Sequence, residues 1–258
     1  MATTSRSDIH LEPLSESPPD QAAPFGGEKE RYVKQMFADI AGRYDLLNSV
    51  LSFNQHKSWR QKAVRIARVL AGETCLDVCT GTGDFAVELA AATGIGGRVV
   101  ASDFCEPMVR SGLDKVARAR GGPISMMVAN AERLPYPSDK FDVCTVGFGI
   151  RNVANIERAV SEMTRVVHPG GRVIILEFNR PKKVWYKPLV DFYLFNILPR
   201  IGGLLSKQEA YSYLPESMKQ FVSREELSAI MSRSGLQEIQ VHDLNLGTVC
   251  IHRGIKAA

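Results

Sequence analysis

Cys75-Leu-Asp-Val-Cys-Thr-Gly-Thr-Gly-Asp-Phe-Ala86 joins a short apolar run to a glycine-rich turn and then to an alanine-rich segment. Strand, glycine turn and helix in that order form a cradle for a nucleotide-bearing cofactor. Gly81 and Gly83 permit sharp bending and close approach of a ligand, and the helix start beyond them offers unpaired N–H groups. Gly81-x-Gly83-x-x-Ala86 also fits the loose dinucleotide fingerprint. The turn alone therefore leaves both NAD and a phosphate-free adenosine cofactor open.

Outward from this turn, strands and helices alternate. Strands are expected at Thr74–Val78, Arg98–Asp103, Ile124–Val128, Phe141–Phe148 and Arg172–Phe178, with helices near 84–92, 106–119, 155–167 and 224–234. Such alternation implies right-handed crossovers and a mostly parallel sheet, an α/β fold of Rossmann-like type. Gln237–Leu244 and Gly247–Arg253 read as a terminal hairpin that adds one antiparallel strand. Upstream, Tyr32, Met36, Ile40, Tyr44 and Leu47 recur at helical spacing, followed by Trp59, Val64, Ile66 and Val69, so residues 28–70 are expected to form a helical cap.

The chain has 258 residues, 45% of them hydrophobic, enough for one large domain. We read residues 28–258 as that domain and the Ser-, Pro- and acid-rich residues 1–27 as a disordered tail lacking the apolar block of a signal peptide. Residues 182–215 interrupt the alternation with Trp185, Tyr186, Phe192, Tyr193 and Phe195 between basic ends. Most of these aromatics read as core packing, and the sharper expectation is a lid over a lipophilic substrate or at a membrane interface. No stretch reaches the ~20 apolar residues that cross a bilayer. A formal charge of +4 without a dense Lys/Arg run argues against a nucleic-acid partner. The five cysteines are odd in number and sit largely in apolar runs, which reads as reduced thiols of a cytoplasmic protein; their spacing offers no metal site.

In an open parallel sheet the ligand lies beyond the carboxyl ends of the strands. Three such ends carry informative residues: the Thr80–Asp84 turn; Asp103, placed to accept from two ribose hydroxyls; and Asn130-Ala131, where a polar side chain can reach an adenine edge. Asp77 and Asp84 flank the turn, where carboxylates would oppose a pyrophosphate but attract the ammonium and sulfonium of S-adenosylmethionine. Asp84 also reads as a helix-start residue facing the macrodipole, and Asp77 as a buried group satisfied by backbone donors.

Further motifs narrow the chemistry. They are Tyr44-Asp-x-x-Asn48-x-x-x-Ser52-x-x-x-His56-x-x-Trp59, Asn130-Ala-Glu-x-Leu-Pro-Tyr-Pro137, Phe148-Gly-Ile-Arg-Asn-Val153, Arg165-Val-Val-His-Pro-Gly-Gly171, Glu177-Phe and His252-Arg-Gly-Ile-Lys256. Together with the glycine turn they resemble the UbiE/MenG quinone-biosynthesis C-methyltransferases, over about Tyr32 to Lys256. The Tyr44–Trp59 box and the Phe148–Val153 element are much more specific than the turn, which every class I methyltransferase shares.

The resemblance implies a class I S-adenosylmethionine-dependent methyltransferase sheet and cofactor contacts at Thr82, Asp103, Asn130 and Ala131, which join Gly81 and Gly83 of the cradle as the cofactor-binding set. Gly147 is included among them although some members carry Ser there; His168 and Asn179 stand where Lys and Ser are common. The implied reaction is C-methylation of a polyprenylated quinol, demethylmenaquinol first and the benzoquinol precursor of ubiquinone second. A membrane-surface contact at the inner face goes with it, and the oligomeric state stays open, a homodimer included.

Methylating a ring carbon requires a phenolate-like acceptor. A phenol of pKa about 10 needs roughly 4 kcal/mol of selective stabilisation to ionise at neutral pH. Arg151 is the first candidate for that work, as a permanent cation at the carboxyl edge, with Asn152 bonding a quinol oxygen. His56 is the candidate base, and Tyr44 reads mainly as packing. The competing readings are an NAD-dependent oxidoreductase, resting on Gly81-x-Gly83-x-x-Ala86 and Asp103, and another small-molecule methyltransferase of the same fold, acting on oxygen or on a sterol.

Overall fold

The computed structural model describes residues 27–179 and 209–258. The expected tail, residues 1–27, lies outside the described residues except for Gly27, and so do residues 182–208 of the aromatic insertion. Helices α1 (Glu28–Ile40), α2 (Tyr44–Leu51) and α3 (Gln55–Ala67) come first. The alternating region follows as β1 (Thr74–Val78), α4 (Asp84–Thr93), β2 (Arg98–Asp103), α5 (Glu106–Ala117), β3 (Ile124–Val128), β4 (Phe141–Gly147), α6 (Ile156–Val166) and β5 (Val167–Phe178). The chain ends with α7 (Glu209–Gln220), α8 (Arg224–Arg233), β6 (Leu236–Leu244) and β7 (Val249–Lys256).

The strands form one seven-stranded sheet in the order β3-β2-β1-β4-β5-β7-β6. Neighbours from β3 to β5 are parallel, β7 lies antiparallel to both β5 and β6, and β6 therefore runs with the parallel set. Only β7 is reversed, as the hairpin reading anticipated. β7 runs Val249–Lys256 rather than Gly247–Arg253, and the largest boundary difference is at β5, which begins at Val167 rather than Arg172 because Val167 already pairs with Phe141 before an irregularity in the register. Gly170, at φ 81°, makes the bend there that a side chain would resist.

Local chemistry explains the elements. Central β1 and β4 are largely buried on both faces because helices cover both. In α6, Ala159, Val160, Met163 and Val166 recur on the buried stripe, and the Asn155 side chain caps the helix by accepting from the Arg158 N–H at 2.9 Å. Ser223 caps α8 by accepting from the Glu226 N–H. Pro107 opens α5 in the first turn, where its missing N–H costs nothing. Two apolar layers result: Trp59, Ala63, Phe85, Leu89 and Ile174 on the α3/α4 side, and Leu76, Phe141, Met163, Ile175 and Met231 on the α6/α8 side.

The order places the topological switch between β1 and β4, since the chain proceeds from β1 to β2 on one side and returns to β4 on the other. A ligand cleft is expected above their carboxyl ends.

Candidate active site

A cleft of about 650 Å³, open to solvent, lies at that switch. Gly81, Asp103, Asn130, Ala131, Gly147 and Asn152 line it, and its apolar wall comes from Phe37, Tyr44, Phe104, Met108 and Phe148.

The turn after β1 is held by backbone bonds: Thr80 N–H donates to the Ser102 carbonyl and Gly83 N–H to the Thr80 carbonyl, both at 3.0 Å. Cys79, Gly81 and Gly83 all have positive φ, at 52°, 59° and 86°. The two glycines have different tasks. A Cβ on Gly81 would project toward Tyr44 and Met108, 3.3 Å from the Met108 methyl, on the cleft wall. One on Gly83 would come 2.8 Å from Cγ2 of Val116 on α5. Gly83 does not line the cleft; it admits close packing of α5 against the turn.

Asp103 accepts from the Gly81 N–H at 2.8 Å and the Cys105 N–H at 2.9 Å, one bond to each oxygen. Burial pushes its carboxyl up to about 6 despite those bonds. Each carboxylate oxygen keeps a lone pair for a further donor. Asn130 folds its Oδ1 back to accept from the Glu132 N–H at 2.8 Å, which leaves its amide to donate toward Glu30 of α1 at 3.3 Å. Gly147 is extended, and a Cβ there would meet the Phe85 ring at 2.8 Å, so a serine would require that ring to move.

Thr82 takes a different place from the one expected. Its hydroxyl donates to Asp45 at 2.5 Å and accepts from Lys115 at 2.9 Å, and it does not line the cleft. Lys115 also pairs with Asp84 at 2.5 Å and with Asp45 at 2.6 Å. Arg60 reaches Asp84 at 3.3 Å. Asp84 is thus paired with two cations and is not a free attractor for a cationic ligand, which weakens the charge argument drawn from it. Asp77 is wholly buried and accepts from the hydroxyls of Thr80 at 2.6 Å and Thr145 at 2.7 Å; its donors are side chains, not the backbone groups expected. Burial again pushes it up to about 6.

His56 is buried in the same network and is not among the residues lining the cleft. Its Nδ1 lies 2.5 Å from Nη1 of Arg60. Burial, then the Arg60 charge, lower its imidazole to about 4, so it is neutral near pH 7 and paired away from any substrate. The Tyr44–Trp59 box thereby acts largely as a bracket. Asp45 ties α2 to the turn through Thr82, Ser52 Oγ donates to the Asn48 carbonyl at 2.6 Å, and Trp59 packs near Phe148 and Phe178 while its indole N–H donates to Asn245 at 3.0 Å. Tyr44 itself lines the cleft, edge-on to Phe37 with ring centres 6.0 Å apart.

Arg151 and Asn152 lie in a short 3-10 turn, Ile150–Asn152, after β4. Arg151 donates through Nη1 to Glu177 Oε1 at 2.7 Å and to the Phe148 carbonyl at 2.6 Å, with its guanidinium 5.4 Å from the Phe178 ring centre. It is not among the cleft-lining side chains, whereas Asn152 is. Asn152 Oδ1 accepts from the Tyr213 hydroxyl at 3.2 Å, which turns its amide hydrogens elsewhere. Arg151 still acts at a distance: its charge opposes the burial that raises the Tyr44 and Tyr213 phenols.

Sequence reasoning missed Glu30, Phe37, Phe104 and Met108. The positions of Phe104 beside Asp103 and of Met108 one turn into α5 were legible signals, while the α1 residues reach the cleft only through tertiary packing. The residues present fit an adenosine-bearing sulfonium donor, with an open glycine cradle, an acidic strand end with spare acceptor capacity, an Asn edge and an apolar wall.

Comparison with known proteins adds a family. Residues 26–256 match the model described as the ubiE/COQ5 methyltransferase family. The ubiquinone/menaquinone biosynthesis C-methyltransferase UbiE of Geobacter sulfurreducens is 45% identical over 230 residues, 89% of this chain and 90% of that protein. A demethylmenaquinone methyltransferase of Bacillus cereus is 39% identical over 229 residues, 88% and 97% of the two chains. Among solved structures, a SAM-dependent methyltransferase of Thermotoga maritima, a possible histamine N-methyltransferase, superposes with TM-score 0.60 at 20% identity, covering 86% of this chain and 99% of that one. The [4+2]-cyclase SpnF reaches 0.65 at 14% identity over 91% and 98%. At those identities the likeness concerns the fold alone, and a cyclase among the neighbours shows that the fold does not dictate the reaction.

Proposed function

This chain belongs to the ubiE/COQ5 methyltransferase family, and on that premise we infer that it methylates a ring carbon of a polyprenylated quinol, with demethylmenaquinol as the first acceptor and the benzoquinol precursor of ubiquinone as the second. The observation that carries the reading is the family match from the helical cap to the last strand, which also removes the oxidoreductase alternative. Bound in the cleft, S-adenosylmethionine supplies an electrophilic methyl on a cationic sulfur.

The chain's own residues have four tasks. Asp103 accepts from ribose hydroxyls through its remaining lone pairs, and the carboxylate form is the competent one. Gly81 keeps the cradle open, and Asn130 and Ala131 bound the base. Asn152 donates an amide hydrogen to the quinol oxygen next to the reacting carbon, where negative charge grows as that hydroxyl passes its proton to solvent water in the open cleft. Arg151 is a positioning residue for Asn152 through the Phe148 carbonyl and Glu177, and its field favours a phenolate nearby as it does the phenols of Tyr44 and Tyr213. With the donor's leaving group already formed, alignment of carbon, methyl and sulfur is the remaining contribution. His56 has no proton-transfer role in this scheme.

Quinone profiling of a strain lacking the protein tests the acceptor. Accumulation of demethylmenaquinone supports the first assignment, accumulation of the demethylated benzoquinone the second, and an unaltered quinone pool overturns both.

A further inference from the structure

Residues 46–72 contain no Asp or Glu, yet they contain Lys57, Arg60, Lys62, Arg65 and Arg68. Arg60 is buried beside Asp84, while the other four are exposed and form no ion pair among the described residues. At 100° per residue they fall within an arc of roughly 140° on α3. The opposite face of that helix, with Trp59, Ala63, Val64 and Ala67, is buried in the core. At the far end of the helix Arg172 donates to the Ala67 and Arg68 carbonyls, and Arg253 stands on the same sheet face with its Nε lacking a hydrogen-bond partner among the described residues.

The other end of this flank is apolar. Leu46 and Val50, one turn apart on α2, are 55% and 38% exposed, and Phe53 in the following turn is 70% exposed. Tyr44 of the same helix lines the cleft. Trp59, near the start of α3, packs by Phe148 and Phe178 at the carboxyl ends of β4 and β5. The helix therefore runs down the side of the sheet from the cleft end, and the exposed apolar tip sits at that end.

We propose that the exposed face of α3 and the Leu46/Val50/Phe53 tip form a membrane-docking surface for an anionic lipid bilayer. Lys57, Lys62, Arg65 and Arg68 meet headgroup phosphates, and the apolar tip enters the interface beside the mouth of the cleft. Charge complementarity selects this occupant. A second copy docked symmetrically through the same face would set cations against cations, and a nucleic acid would leave the aliphatic Leu46 and Val50 in water. The need for such a surface rests on the quinol reading: a ring that enters the cleft at the interface leaves its prenyl tail in the bilayer.

The test is co-sedimentation of the full chain with vesicles, read without turnover. Binding is expected with vesicles containing phosphatidylglycerol, to weaken in high salt, and to vanish with phosphatidylcholine alone. Replacing Lys62→Gln and Arg65→Gln together should lower partitioning about twenty-five-fold, at about fivefold per charge. Leu46→Ser should lower it severalfold while keeping its salt dependence, and both variants should methylate a tail-less quinol analogue normally. Absence of binding to anionic vesicles, equal binding to neutral ones, or wild-type partitioning of the double variant would overturn the proposal, as would preferential binding of an RNA oligonucleotide. Vesicle binding without methyl transfer counts against the quinol reading alone; methyl transfer to the tail-less analogue without vesicle binding counts against this surface alone.

Discussion

Arg151 donates to Glu177 at 2.7 Å, with the Arg151 side chain 8% exposed and that of Glu177 0%. The pair joins the turn after β4 to the end of β5. Glu177 Oε1 additionally accepts from the Phe178 N–H at 2.8 Å, so several of its lone pairs are used. A buried ion pair adds little net stability, but removing one partner leaves an uncompensated charge.

Arg151→Ala is therefore expected to lower folding stability by about 3 kcal/mol, and to reduce turnover more than cofactor affinity. Glu177→Gln should also disturb turnover, because it frees the guanidinium from the geometry that seats Asn152. Denaturant unfolding with separate kcat and KM measurements checks both. A variant with unchanged kcat would remove the positioning role.

Asn152→Ala takes away the cleft-lining amide while leaving the ion pair intact. Loss of one donor to developing negative charge costs roughly 3 kcal/mol in the barrier, about a hundredfold in kcat. Binding of S-adenosylhomocysteine should stay near wild type, as calorimetry would show.

The two glycines of the turn should separate. Gly81→Ala puts a methyl on the cleft wall at φ 59° and is expected to weaken cofactor binding at least tenfold. Gly83→Ala collides with Val116 and should mainly destabilise the fold, by about 1–3 kcal/mol. Binding isotherms and thermal melts on both proteins distinguish these outcomes.

Asp103 gives the cofactor site a pH dependence. Its carboxyl, raised to about 6 by burial, is ionised above that pH and protonated below it. Cofactor affinity should therefore fall as the solution is acidified, by about tenfold between pH 7 and pH 5. Asp103→Asn should bind weakly and lose this dependence.

His56 also makes acidification unfavourable, through folding stability rather than cofactor affinity. Its folded-state pKa of about 4 lies below the unfolded 6.5, so the folded form binds the proton less readily. Its contribution is complete above pH 6.5 and is lost as pH falls toward 4, amounting to about 3 kcal/mol at most. His56→Gln should flatten that part of the stability profile. It should leave the neutral-pH limb of the rate profile unchanged, whereas a catalytic base would not.

The periodicity of the chain was enough to locate the strands and the reversed β7, because side-chain alternation and glycine turns act locally. Asp103, Asn130, Ala131 and Asn152 were legible because strand ends and turns in this topology point at the cleft. Thr82 stands off the cleft wall because its hydroxyl is claimed by Asp45, 37 residues away in sequence. The partnership of Arg151 with Glu177 spans 26 residues, and the neutralisation of Asp84 requires α3 and α5 to converge. Such pairings depend on which side chains the packed elements bring together, and linear spacing does not encode that.

The central claim is carbon methylation of a quinol. Purified protein, labelled S-adenosylmethionine and chemically reduced demethylmenaquinol, with the benzoquinol run alongside, test it most directly when the product is resolved by mass and by the position of the new methyl. The account predicts label on a ring carbon of the naphthoquinol. Label on a quinol oxygen, or none in the quinone fraction from folded protein that binds the cofactor, would contradict it.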